Sequence, residues 1–208
     1  MKNYITDICF LAGKVSVMRK TTVDGKENLY LLLKTIGDEN GYTLIPCVVP
    51  ADLCRAMHFR EGSWIFVVGM LKDTRDSTCG GRGFWVDVNH ILHLKEKRLQ
   101  GYYNQASFTC WFPEETNYQV CLSAENFLWQ RLLVCTVHPQ EKVCMELNCL
   151  LPRDVSADDP DEDDLVQMTG ALIMDCPWAP GAYLLVERID KPEDIAKAVP
   201  FLNSYESI

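Results

Sequence analysis

The sequence predicts an all-β chain of two tandem five-stranded Greek-key barrels, and three observations carry that prediction. The first is an internal repeat. YLLLKTI at 30–36 returns as RLLVCTV at 131–137, CVVPADL at 47–53 as CLLPRDV at 149–155, FVVGMLKD at 66–73 as QMTGALIM at 167–174, and GFWVDVNHI at 83–91 as GAYLLVERI at 181–189. The four blocks recur in order at offsets of 101, 102, 101 and 98, which marks a duplicated unit of about 100 residues. The second observation is a run of five strand-like segments in each copy, and the third is a single short helical stretch between the third and fourth. Two copies are too few for a solenoid, so each is expected to bury its own core. The division that follows is a first domain at 1–98, a second at 104–191 and a tail at 192–208.

In the first copy the strands are predicted at 8–18, 29–36, 43–49, 64–72 and 83–94, where β-branched and aromatic residues cluster and apolar positions alternate. Turn signals separate them at Val23-Asp24-Gly25, 37–41, Glu61-Gly62 and 79–83. Pro46 marks the third strand as an edge or a bulge, because it cannot donate to a ladder. The stretch 50–59 opens with Pro50 and carries Asp52 in its first turn, which suits a short helix. Five strands with a helix between the third and fourth is the order of the OB fold. The second copy repeats the pattern over about 106–191. Its helix slot, 152–164, holds Asp158, Asp159, Asp161, Glu162, Asp163 and Asp164, and an acidic loop is expected there.

Charge divides the copies. Residues 1–100 carry 14 Lys and Arg against 11 Asp and Glu, and residues 101–208 carry 6 against 18, for a chain total of −9. The first half can meet a polyanion and the second repels one. The ten cysteines include no C-x-x-C pair and sit mostly inside apolar runs, so they read as buried structural thiols of a reducing compartment. His90 and His93, three apart on a strand, fall on opposite faces, and His58 and His138 are solitary; no metal and no cofactor is expected. With no apolar run near the ~20 residues of a membrane span and no signal-peptide pattern at the N-terminus, no membrane partner and a cytoplasmic location are expected.

The first copy resembles the bacterial single-stranded-DNA-binding proteins over about 5–95. The residues that carry the resemblance are Leu11-Ala12-Gly13-Lys14-Val15 in the opening strand, the Gly25 turn, the stretch from Glu61-Gly62-Ser63 through Trp64-Ile65-Phe66-Val67-Val68-Gly69-Met70-Leu71, and the closing strand 83–94. In the second copy the fourth and fifth strands and the block from Cys149 to Pro152 retain it. Two OB domains in one chain is an arrangement known in that family. The resemblance implies a single-stranded DNA partner, a homodimer that reaches four barrels, and a place in replication, recombination or mobile-element maintenance beside a replication or recombination protein. Tyr42 and Phe66 match its stacking positions. Val199-Pro200-Phe201 is followed by seven more residues, so the family's terminal docking motif is not carried over.

Strand-binding chemistry can be sought face by face. Bases stack on aromatic rings while Lys and Arg track the phosphates. Alternation puts Leu31, Leu33 and Thr35 inside with Tyr30 and Lys34 outside, Ile65 and Val67 inside with Trp64 and Phe66 outside, and Phe84, Val86 and Val88 inside with Trp85 outside. The candidate nucleic-acid-binding set is therefore Tyr30, Lys34, Tyr42, Trp64, Phe66 and Trp85, with Lys14, Arg19, Lys20, Lys72, Arg75 and Arg82 on adjoining strands and loops. Outward aromatics serve subunit interfaces equally well. In the second copy the counterparts of Tyr30, Lys34, Trp64 and Phe66 are Arg131, Cys135, Leu165 and Gln167, and Tyr183 is expected as the outward counterpart of Trp85. The second domain then reads as architectural, or as a module whose acidic loop recruits a basic partner. The chain as a whole reads either as a single-stranded-DNA-binding protein or as an interaction module that has lost nucleic-acid binding. No nucleophile–base motif, phosphate loop or metal set suggests an enzyme.

Overall fold

Apolar residues alternate through the first half, and strands form along that alternation in a computed structural model that describes residues 8–23, 25–37, 41–55, 57–75, 82–111, 119–122, 128–137, 144–151, 166–176 and 179–190. The elements of the first half are β1 (Ile8–Val23), β2 (Lys26–Ile36), β3 (Tyr42–Pro50), α1 (Ala51–Arg55), β4 (Trp64–Arg75) and β5 (Arg82–His93). β1 pairs with β2, β2 with β3, β3 with β5, β5 with β4, and β4 with β1, which closes a five-stranded barrel. Every ladder is antiparallel except β3–β5, which covers only Cys47↔Val86 and Val48↔Asp87. Pro46 lies just outside that short ladder, so its missing N–H costs the β5 side nothing. The inward residues are those that alternation selects: Leu31, Leu33, Thr35, Ile65, Val67, Val86 and Val88 are buried. Turns at Gly25 and Gly62 have φ of 73° and 86°, open to glycine at no steric cost.

The helix is shorter than the sequence suggests. Pro50 still pairs with Asn28 as the last residue of β3, and α1 ends at Arg55, with the Met57 N–H donating to the Cys54 carbonyl just beyond it. So short a helix owes its stability to packing, and Leu53 and Cys54 pack against the core.

The second half comprises β6 (Tyr103–Trp111), β7 (Gln119–Leu122), β8 (Leu128–Val137), β9 (Cys144–Leu151), β10 (Val166–Cys176) and β11 (Ala179–Asp190). β6 pairs with β10, β10 with β11, β11 in parallel with β9, β9 with β8, and the end of β6 with β8 through Cys110↔Thr136 and Trp111↔Cys135. β7 extends the edge of β8. Gly69 and Gly170 fix the correspondence between halves. Each follows a register shift, opposite Val88 and Val186 respectively. At each, a Cβ would strike the facing carbonyl oxygen, of Asp87 or Leu185. The acidic 152–164 segment and the tail lie outside the described residues.

The two halves are continuous through β1 and β6, which pair antiparallel from Ile8↔Ser107 to Ala12↔Tyr103 and join all eleven strands into one sheet. Cys9 pairs with Gly69 and Ala106 with Gly170, so Cys9 and Ala106 are repeat counterparts. They also face one another. A residue that meets its own counterpart marks a local two-fold relation, the isologous geometry of a symmetric dimer. Buried polar groups hold this seam. The Asn104 amide donates to the carbonyls of Ile36 (2.8 Å) and Leu172 (2.7 Å) and accepts from the Leu172 N–H (3.0 Å). The Thr35 hydroxyl lies 2.8 Å from the carbonyls of both Ala12 and Tyr103, and Thr43 accepts from the Met174 N–H at 3.0 Å. Instead of two separate cores, the buried residues form one contiguous cluster across both halves.

Candidate nucleic-acid interface

The first half sets one outward row across four strands. Lys14 on β1 pairs with Trp64 on β4 and with Lys34 on β2, and Lys34 pairs with Leu44 on β3. Local bonds fix this register. The Val15 N–H donates to the Ser63 carbonyl (2.9 Å) and the Gly62 N–H to the Val15 carbonyl (2.8 Å), which ties the start of β4 to β1. On the far side the Leu94 N–H donates to the Trp64 carbonyl at 2.8 Å. Tyr42, two residues before Leu44 on the same face, is 59 % exposed, and the Lys34 ammonium lies 4.1 Å from its ring centroid.

A residue outside the candidate set completes the row. Tyr102 lies 4.8 Å, centroid to centroid, from both Tyr42 and Trp64, tilted 54° to each. It sits at the end of the connection from β5 to β6, after the single 3-10 turn Lys97–Leu99. The sequence signal for it was the pair Tyr102-Tyr103 in an otherwise polar connection. Rings in such a segment call for a partner surface.

The remaining candidates fall into other groups. Arg19 pairs with Tyr30 on the same β1–β2 face, Arg19 exposed and Tyr30 half-buried. Phe66, half-buried, lies on β4 between Ala12 of β1 and Leu92 of β5. Lys72 pairs with Trp85 on the β4–β5 side, away from the β1–β2 face; both are half-buried. Arg75 pairs with Arg82 at the end of that hairpin, and their side chains are outside the described residues. Lys20 belongs to neither group. It pairs with Leu29, whose side chain packs against the core, and so turns to the face opposite Arg19. There it lines a cleft of about 370 Å³ with Leu29, Ala51 and Cys54. The parity of β1 separates it from the outward set.

The second half carries a different surface. Gln167, the counterpart of Phe66, donates to the Ser107 hydroxyl at 2.6 Å. Tyr183 is not outward: it is 1 % exposed. Nearby, beside the β10–β11 bulge, a Cβ on Gly181 would lie 3.3 Å from the Phe84 ring, so the first half approaches β11 there. Leu165 and the side chains of Arg131 and Cys135 fall outside the described residues. Of the cysteines whose side chains are described, Cys9, Cys47, Cys110 and Cys149 are buried and Cys54 is half-buried; desolvation pushes Cys47 up to about 12 and its repeat counterpart Cys149 upward as well. Among the described residues no group of three His, Cys, Asp or Glu is placed to hold a metal, and no helix is long and apolar enough to cross a membrane.

No family model and no curated protein matches the chain. Solved structures do. A deletion variant of the single-stranded DNA binding protein from Thermus aquaticus superposes with a TM-score of 0.67 at 18 % identity, over 89 % of this chain and 94 % of that one. The wild-type protein from the same organism gives 0.66 at 16 %, over 89 % and 92 %. The likeness is one of fold. The chain is nearly all β, with a closed five-stranded barrel of the OB type, and it shares that architecture with a single-stranded DNA binding protein along most of both lengths.

Proposed function

We propose that this chain is a tandem two-barrel OB protein that binds single-stranded DNA through the outward face of its first barrel. The observation that carries the reading is the row Trp64, Lys14, Lys34, with Tyr42 beside it: rings for bases and ammoniums for phosphates, alternating across β4, β1, β2 and β3. Arg19 and Tyr30 extend it along the same β1–β2 face. The β2–β3 region is also where OB folds take oligonucleotides. The second half, whose ladders follow those of the first, is a diverged barrel that supplies architecture; its Gln167 and Tyr183 are committed to internal contacts. Domain one ends near residue 98 and domain two spans about 104–191. A homodimer would bring four barrels together, and coating a strand during replication, recombination or mobile-element maintenance is the role that fits.

The test is fluorescence anisotropy with a labelled dT strand of about 30 nucleotides at ~50 mM and higher salt, where counterion release makes binding strongest at the low end. Binding with a slope of log K against log salt near −2 to −3.5, roughly three to five phosphates at ~0.7 each, supports the reading. Lys34→Glu should flatten that slope. No binding at low salt would sink it and favour an interaction module whose acidic surface meets a basic protein.

A further inference from the structure

The connection between the halves has more to do than join them. Residues 95–101 are exposed, and nothing lies within 4 Å of where a Cβ would sit on Gly101. The segment is held by its own 3-10 turn, with the Leu99 N–H donating to the Glu96 carbonyl at 2.9 Å, and by the Gln100 amide donating to the Leu94 carbonyl at 3.2 Å. From Tyr103 onward the backbone is fixed in β6, paired with Ala12 and bonded by Thr35. Tyr102 stands at this boundary between a lightly held segment and a rigid strand. Its ring nonetheless lodges against the two rings, Trp64 and Tyr42, that bracket the Lys14–Lys34 pair.

We propose that Tyr102 occupies a nucleobase subsite between Trp64 and Tyr42 and is displaced when a strand binds. The inference rests on the reading of this face as the DNA site. A base arriving beside Lys14 and Lys34 needs a ring face to stack on, and Tyr102 already covers part of both. Its 54° tilt to each neighbour is an edge-on filling contact, where a free planar base could lie parallel and overlap more fully. The tyrosine covers the apolar rings while the site is empty and lowers apparent affinity by the fraction of molecules in which the slot is filled. It also makes binding in this slot sensitive to anything that holds or releases 95–101.

The experiment is a dT titration of the full-length chain against Tyr102→Ala, Tyr102→Ser and Trp64→Ala, with circular dichroism melts to confirm folding. A displaceable occupant predicts that both Tyr102 variants bind about three- to tenfold more tightly, by removing the occluded fraction, while Trp64→Ala binds more weakly. Incorporated 3-fluorotyrosine followed by fluorine NMR gives a second reading in the unmutated chain: the Tyr102 resonance should move toward its position in unfolded protein as dT is added. If Tyr102→Ala weakens binding, the ring is a stacking platform and the displacement idea is wrong; unchanged affinity with an unmoved resonance overturns it as well. If the wild-type chain and the variants alike fail to bind at low salt, the DNA reading itself falls, and this inference with it.

Discussion

In the first half β1 runs from Ile8 to Val23 and pairs along its length with β2; in the second β6 and β7 take the corresponding course, described up to Trp111 and again from Gln119. Trp111 faces Cys135 as Lys14 faces Lys34, and Gln119 faces Arg131 as Arg19 faces Tyr30, so the second half spends three extra residues between two otherwise matching points. Among the described side chains the inward rows agree: Ile65 and Val67 answer to Val166 and Met168, and Val86 and Val88 to Leu184 and Val186. The outward rows do not: Phe66 answers to Gln167 and a half-buried Trp85 to a buried Tyr183. Backbone ladders depend on inward alternation and on the few places where chains touch, whereas outward positions can change chemistry without moving a strand. One half therefore keeps outward rings and ammoniums, and the other keeps the same pleat with different chemistry on it.

That contrast can be broken first at the shared glycines. Gly69→Val and Gly170→Val each drive a side chain into a backbone carbonyl, and each should cost about 3 kcal/mol or more, at the upper end for overpacking. Urea unfolding checks this, and one variant unfolding like wild type would show that the two bulges are not equivalent. Next is the seam. Asn104→Leu strands the Leu172 N–H and two carbonyls, a loss of about 2–3 kcal/mol; its urea curve should also separate into two steps as the halves uncouple. For the outward faces, Phe66→Ala should weaken dT binding by about 1–3 kcal/mol, the scale of one stacked base. Gln167→Ala, at the matching place, should leave affinity unchanged, and equal effects at both would erase the contrast drawn here.

The smallest effect at neutral pH, and the one that should be alike in both halves, belongs to the thiols. Cys47 is pushed up to about 12 and Cys149 is raised too, both by desolvation, from an unfolded value of roughly 8.5. Below that value both states hold the proton and the thiols add no pH dependence. Above it the unfolded chain releases protons first, so stability should fall from about pH 9 upward. Urea midpoints at pH 8 and pH 10 measure the decline, and Cys47→Ala and Cys149→Ala should each remove part of it.

The strands of the first half were legible because alternation is dictated by burial, and the prediction of Leu31, Leu33, Ile65 and Val67 as inward followed from that alone. The helix was overextended because Pro50 reads equally well as a helix start and as a strand end; pairing with Asn28 decides it. Tyr183 reads as outward from its correspondence with Trp85 alone, and the fold buries that position. Lys20 groups with Arg19 as a neighbouring cation, and the β1–β2 register sends the two to opposite faces. Tyr102 was invisible to any analysis confined to the two repeats. It lies between them, and only the fold carries it back to Trp64.

The pairing of Cys9 with Ala106 has a consequence for how such a surface can change over time. Between two separate copies of one barrel, any substitution at the dyad appears on both sides at once and must suit itself. Here the two sides are encoded independently. Asn104 can hold Ile36 and Leu172 together while the sequence at the mirrored place, 97 residues earlier, is Asp7. The short connection also holds the partner strands at an effective concentration on the order of millimolar, so formation of this contact is indifferent to dilution. A gene that joins its own two-fold partner end to end trades symmetry for the freedom to give each side a separate history.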